Sequence, residues 1–440
     1  MIYKIKGTQD ILPEESRRWQ AVEKAIRYVS SLYHYKEIRT PIFEDSVLFH
    51  RGVGESTDIV KKETYDFQDR GGRMITLRPE GTAPIVRSVV ENKLYATQPL
   101  PLKLYYYGPM FRYERPQKGR QRQFHQFGAE AIGSVSPQID AEMIAYALKF
   151  LSHIGIDHVQ VKINTLGDHD DQQHYKYVLT EYLRPKIGLL CGDCQRRFEE
   201  NPLRVLDCKV DRDHVVLTEA PKPLSIIKDA AKDHFSQLQA YLNQMHIPYI
   251  IDTSLVRGLD YYTHTVFELE ADLPSLGAQA TLGGGGRYDR LSEDLGGPEL
   301  PSVGFAFGLE RLLLALESVS TQTEDERLHG FMIVLGNRPR VKAMEICESL
   351  RQSGLRIDSV CSDRSLKAQF RHAERFNPCY FLIFGDSELD ENMINVKNAS
   401  SGKEARVKLD ELSLYLSERI ASNQENTHDG CHHSSESGEK

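Results

Sequence analysis

No stretch of this chain stays apolar for the roughly 20 residues that a membrane helix needs. Its opening, MIYKIKGTQD, lacks the apolar core of a secretory signal. The expectation is a cytoplasmic protein with no membrane partner. Cysteine is sparse: Cys191, Cys194, Cys208, Cys347, Cys361, Cys379 and Cys431 are odd in number and irregularly spaced, which excludes a disulfide scaffold and favours reduced thiols. Positive charge is not in excess either. A net charge of −8 argues against coating nucleic acid by long-range attraction, so any RNA that binds must bind a local basic patch. No internal repeat is present.

What remains is an ordinary globular composition, 40% hydrophobic and 27% charged over 440 residues, long enough for roughly two to four compact units. Trp19, Val22, Ile26, Val29 and Tyr33 recur at helical spacing behind Pro13, predicting an amphipathic helix over 14–33. From 37 to 165 short alternating runs predict a mainly antiparallel sheet with packed helices, one of them at 138–153. Residues 168–245 are polar, helical in period and poor in strand signals, as in an insertion. Strand signals return at 248–270, then a glycine-rich turn, GGGGRYD at 283–289, then a helix, VGFAFGLERLLLALE, at 303–317. Beyond the polar stretch 321–330 strands and helices alternate, which predicts a small α/β unit with a partly parallel sheet. The last 19 residues, SNQENTHDGCHHSSESGEK, hold almost nothing to bury and are expected to be disordered.

The segment YYYGPMFRYERPQKGRQRQFHQFGAEAIG at 105–133 sets two strand-like arms around a basic loop carrying Arg112, Glu114, Arg115, Lys118, Arg120 and Arg122. Guanidinium forks in that number suit a polyphosphate better than a single carboxylate. This segment resembles the second signature motif of class II aminoacyl-tRNA synthetases, built around FRxE. The resemblance implies that Arg112 grips the α-phosphate and the substrate carboxylate, Glu114 the adenine amino group and Arg120 the outgoing pyrophosphate. VGFAFGLERLLLALE resembles the third motif, a small-residue strand end running into a helix, in which Gly304 and Gly308 let backbone approach a flat ligand and Arg311 stacks on adenine and reaches the γ-phosphate. The first motif is placed around the 14–44 region with Pro41 at its centre, and implies a homodimer.

LVRGLDYYTHTVFE at 255–268 resembles the histidine-specific signature of histidyl-tRNA synthetases, with Thr263 and His264 in its variable pair. A pocket for imidazole needs polar partners on both sides of the ring, and partners left unpaired by a wrong side chain reject it. By resemblance Glu130 and Tyr262 face the ring nitrogens, Tyr261 lines the pocket, and Glu80, Gly81, Thr82 and Gln126 hold the ammonium and carboxylate. Arg257 and Arg112 are the expected catalytic cations, and both also touch the histidine. The implied reaction joins L-histidine to ATP, with Mg2+ and no tightly bound cofactor, and then passes histidine to tRNA.

The implied fold class is α+β: an antiparallel-sheet class II core over 1–167 and 246–320, a mainly helical insertion over 168–245, a linker at 321–330, an α/β anticodon-binding domain over 331–422 and a disordered tail at 423–440. Lys367, Arg371 and Arg375 repeat on one helical face of that last domain, where they suit phosphates. Cys191, Cys194 and Cys208 with His214 invite a zinc reading, but the spacing is loose, and a purely structural role with no metal is the expectation. Two rival readings predict different sequences. A non-catalytic paralogue, the regulatory subunit of ATP phosphoribosyltransferase in histidine biosynthesis, predicts degraded motifs and no anticodon domain. A class II enzyme for another amino acid conflicts with RGLDYYTHTVFE.

Overall fold

The computed structural model describes all residues except 55, 56, 58, 207, 209, 257, 258, 274, 276–279, 318–326, 360–364 and 429–440. The chain forms two compact units, Met1–Thr323 and Glu324–Lys440. Most of the expected linker and the end of the expected tail lie outside the described residues. The last helix, Leu412–His428, runs into the stretch expected to be disordered.

The first unit is built on an eight-stranded sheet. Its centre is antiparallel: strand Leu102–Phe111 pairs with Gln123–Ile132, which pairs with Ser302–Gly308, then Thr281–Arg287, then Thr263–Glu270. Alternation divides the side chains between two faces. On one face Phe127, Phe267, Phe305 and Phe307 pack beneath Trp19, Ile26, Tyr146, Phe150, Phe235 and Leu238. These come from the helices Pro13–Leu32, Pro137–His153 and Asp229–Gln244. Proline in the first turn of the first two suits a helix start, where its missing N–H costs nothing. The other face carries Tyr106, Tyr262, Val266 and Tyr288 against the helix Thr82–Glu91.

Two expectations change here. The 303–317 stretch is not one helix: Ser302–Gly308 is a strand, and only Leu309–Leu316 is helical. GGGGRYD is not a turn either, because its glycines run through the strand Thr281–Arg287, paired on both edges. Space is the reason. A Cβ on Gly285 would lie 1.9 Å from the Gly304 carbonyl oxygen, and one on Gly283 2.4 Å from the Phe307 ring. Arg287, 1% exposed, then locks this strand to the helix Pro137–His153 through Asp140, with Nη2 to Oδ1 at 2.5 Å, and through the Ser134 and Ser136 carbonyls.

Residues 175–220 gather a separate apolar cluster around Leu179, Leu183, Cys194, Val205 and Leu217, whereas Phe235, Leu238 and Leu242 join the main core. The second unit has a five-stranded sheet. Its strand Gly330–Val334 lies parallel to Ile357–Ser359 and to Tyr380–Phe384, and Met393–Asn398 and Glu404–Lys408 complete it antiparallel. Lys367, Arg371 and Arg375 are exposed at the helix Leu366–Glu374. No helix among the described residues is long and apolar enough to cross a membrane.

Candidate active site

On the face of the sheet away from Phe127, Gln126 and Glu130 of the strand Gln123–Ile132 line a cavity of about 220 Å3. Gln126 and Glu130 come from that strand, Glu80 and Thr82 from the start of the helix Thr82–Glu91, Arg112 from just past the neighbouring strand, and Tyr261 and Tyr262 from the RGLDYY segment. These expected residues therefore meet at one place. Gly81 stands behind them, where a Cβ would come within 2.2 Å of the Tyr106 ring. Arg257 lies outside the described residues.

Glu130 is 1% exposed. It accepts a bond from Thr82 Oγ1 at 2.8 Å and another from the Tyr288 hydroxyl. Both bonds favour the ionised carboxylate, but burial outweighs them and pushes its pKa up to about 8. Glu80 accepts the backbone N–H groups of Thr82 and Ala83, each at 2.8 Å, so its carboxylate caps the helix while it lines the cavity. Burial raises its pKa, against those two backbone bonds. The Tyr106 hydroxyl and Gln126 Oε1 are buried without a hydrogen-bond partner among the described residues. Buried polar atoms are usually hydrogen-bonded, so these two leave polar capacity at the cavity that the described residues do not use.

Tyr106 and Tyr288 are absent from the residues expected at the site, and so is Gly304 in the role it takes. Gly304 lines the cavity, and a Cβ there would lie 1.7 Å from Glu130 Oε2, so its missing side chain also makes room for that carboxylate. Gly308 has open space beside it. Period-two alternation from Glu130 marks the strand face, but only the sheet register, Gly304 opposite Glu130, shows which glycine is needed.

Beside this cavity lies a cleft of about 820 Å3 lined by Arg120, Arg311, Glu268, Glu270 and Thr281. Arg311 Nη1 donates to the Thr281 carbonyl at 2.8 Å, and Arg120 pairs with Glu114 at 3.4 Å. Burial lowers the pKa of Arg311, and the positive charge of Arg120 lowers it further. Two guanidinium groups near enough to repel each other favour an anion between them. Arg122 takes no part in that: its guanidinium lies 4.0 Å from the Tyr113 ring centroid, and its backbone N–H donates to the Gly7 carbonyl at 2.7 Å. Glu310 accepts His125 N–H at 2.9 Å and so ties the two resembling motifs together.

The sequence profile described as Histidyl-tRNA synthetase matches residues 7–312, and one described as Anticodon binding domain matches 331–419. The chain belongs to the histidyl-tRNA synthetase family. A Bacillus velezensis protein named histidine–tRNA ligase is 49% identical, covering 94% of this chain and 99% of its own. Its Bacillus subtilis counterpart is 49% identical over 92% of this chain and 96% of its own. The crystal structure of apo Staphylococcus aureus histidyl-tRNA synthetase superposes with a TM-score of 0.81 at 40% identity, covering 94% of this chain and all of that one. A Bacillus halodurans structure titled as an ATP phosphoribosyltransferase regulatory subunit/histidyl-tRNA synthetase shares 22% identity with a TM-score of 0.61, a likeness of fold alone. The α+β fold class and the C-terminal anticodon-binding domain of the family are both present. The regulatory rival predicted no anticodon domain, whereas residues 331–419 match the profile of one.

Proposed function

We propose that this chain is a histidine–tRNA ligase: it activates L-histidine with ATP to histidyl-adenylate and pyrophosphate, then transfers histidine to the 3′ end of its tRNA. The observation that carries the reading is the one cavity lined by Glu130, Gln126 and Tyr106, where the Gln126 side-chain carbonyl and the Tyr106 hydroxyl have no hydrogen-bond partner among the described residues. A small ligand with several N–H donors, such as histidine with its ammonium and imidazole, completes that set.

In this reading Glu130 and Tyr262 take the ring nitrogens, Tyr261 lines the pocket, and Glu80, Thr82 and Gln126 hold the amino-acid head group, with Gly81 letting the helix start come close. Arg112 and Arg257 neutralise charge as the histidine carboxylate attacks the α-phosphorus and pyrophosphate leaves. Arg120 and Arg311 hold the phosphates and Glu114 the adenine. The chemistry needs position and electrostatics, not a covalent protein intermediate. Magnesium takes oxygen ligands and usually keeps several waters beside substrate phosphates. The cleft presents two carboxylates for this, Glu268 and Glu270, the second of them also paired with Lys162 at 2.8 Å. Cys191, Cys194 and Cys208 form no disulfide among the described residues, which suits the reducing cytoplasm.

The test is exchange of labelled pyrophosphate into ATP with each of the twenty amino acids, followed by charging of a tRNA transcript. Exchange is expected with histidine alone, and Arg257→Ala is expected to lower it by about 100- to 1,000-fold, the worth of one strong donor at developing charge. Folded protein that supports no exchange with any amino acid would overturn the reading.

A homodimer is part of the proposal. The three-stranded sheet of Phe43–Asp45, Tyr65–Gln68 and Met74–Leu77 sets Phe43, Tyr65, Phe67, Ile75 and Leu77 on one face by its register. Phe43 is 57% and Phe67 44% exposed, so this face is only half covered. Sedimentation equilibrium at micromolar concentration should give twice the chain mass, and Phe43→Asp should shift the protein toward monomer. A wild-type monomer throughout the range rejects the dimer.

A further inference from the structure

Cys191, Cys194, Cys208 and Asp211 each bring one ligand atom to a common point, with all of these atoms within 4.8 Å of one another. Cys191 Sγ stands 3.7 Å from Cys208 Sγ, and Cys208 Sγ 3.6 Å from Asp211 Oδ2. Ligands about 2.3 Å from a tetrahedral zinc lie about 3.8 Å apart, so these separations are those of a zinc tetrahedron rather than of a disulfide, whose sulfurs are about 2 Å apart. Three thiols in one cluster also leave one unpaired in any disulfide.

Local chain geometry builds the cluster. Cys191 is the N-cap of the helix Gly192–Glu200, so the C-x-x-C spacing sets Cys194 one turn on. The 3-10 turn Pro202–Val205 then reverses the chain and brings Cys208 back. The Asp211 N–H donates to Cys208 Sγ at 3.4 Å and the Cys191 N–H to Asp211 Oδ2 at 2.8 Å, so backbone donors already hold two of the ligand atoms in place. Cys194 is 0% and Cys208 5% exposed.

The surrounding structure is short of other support. Residues 175–220 have one small apolar cluster and helices as short as Val215–Thr218. A unit below roughly 70 residues rarely folds on such a core without a staple. His214, the fourth ligand that the sequence invites, is committed elsewhere: its Nδ1 accepts the Val216 N–H at 3.2 Å and caps that helix. Asp211 takes its place. Only the folded chain reveals that exchange, since Asp211 is one carboxylate among many in the sequence.

We propose that Cys191, Cys194, Cys208 and Asp211 bind one structural zinc ion that staples the 175–220 segment. All four positions are filled by protein, as in a closed structural site with no place for a reacting water. Cys208 and Arg212 also line the cleft that holds Arg120 and Arg311, so the metal fixes one wall of that cleft. The inference stands whether or not the chain charges tRNA.

The test uses the full chain, purified under reducing conditions from zinc-supplemented medium. Elemental analysis should find about one zinc per chain, falling at least fivefold in Cys208→Ser. To guard against a variant that misfolds, wild type stripped by chelator is titrated with Co2+; thiolate-to-cobalt charge-transfer bands and the strong visible bands of tetrahedral cobalt should grow to one equivalent. Chelation should also speed protease cleavage within 187–214 about tenfold, reversed by Zn2+. Wild-type protein with under a tenth of an equivalent of zinc and no charge-transfer band on cobalt addition would overturn the proposal. So would a Cys191–Cys208 disulfide found by mass spectrometry without reductant.

Discussion

Arg112→Ala should lower kcat/KM for histidine-dependent pyrophosphate exchange by about 100- to 1,000-fold, a loss of about 3–4 kcal/mol of transition-state stabilisation. Arg112 follows the strand Leu102–Phe111, and its backbone N–H donates to the Arg122 carbonyl at 2.9 Å, which closes the base of the basic loop. Its Nε donates to the Pro79 carbonyl at 2.9 Å, and its guanidinium lies 5.2 Å from the Phe124 ring centroid. Those contacts fix the plane of the fork while it lines the same cavity as Gln126 and Glu130. A cation held in advance need not reorganise as charge develops on the phosphate. Arg112→Lys keeps the charge but not the planar fork or the Nε bond, so it should recover only part of the loss. A fall of less than tenfold in the alanine variant, with unchanged thermal stability, would remove Arg112 from the chemistry.

Glu130→Gln should act on both binding and stability. An ionised carboxylate accepts the imidazole N–H in a charge-assisted bond, and an amide offers a weaker neutral one. The expected loss is about tenfold to a hundredfold in kcat/KM for histidine, the worth of one such buried bond. The stability effect has a defined sign. Burial raises the Glu130 carboxyl from 4.5 to about 8 in the folded protein. Between those two values the folded state holds a proton that the unfolded state has released, so this group lowers stability as pH rises through the window, and the loss is complete above about 8. The full span is on the order of several kcal/mol. Gln cannot ionise, so the melting temperature of the variant relative to wild type should climb from pH 5 to pH 9. Parallel curves for the two proteins across that range would show that Glu130 does not carry the raised pKa.

Much of this was legible because the signals are local. Helical spacing from Trp19 to Tyr33 and the proline at its head define the helix Pro13–Leu32 without reference to any other part of the chain. Alternation on either side of the basic loop defines the hairpin, with Phe111 opposite Gln123 as its last pair. The expected pocket residues came from resemblance, and the folded chain gathers Glu80, Thr82, Arg112, Gln126, Glu130, Tyr261 and Tyr262 about one cavity.

Other features depend on what lies across space. Local preference makes four successive glycines a turn, but the sheet makes them a strand, because the Gly304 carbonyl and the Phe307 ring occupy the volume a side chain would need. The same crowding assigns Gly304 to the Glu130 carboxylate and brings Tyr288, distant in sequence, to donate to it. Helix Asp229–Gln244 has the same polar texture as the segment before it, yet it buries Phe235 and Leu238 in the main core. Sequence by itself therefore determined the elements whose period is their own, and the chemistry of the motifs. Tertiary structure alone decided which strand face, which glycine and which fourth ligand, because those choices are made by excluded volume and by burial between segments far apart in the chain.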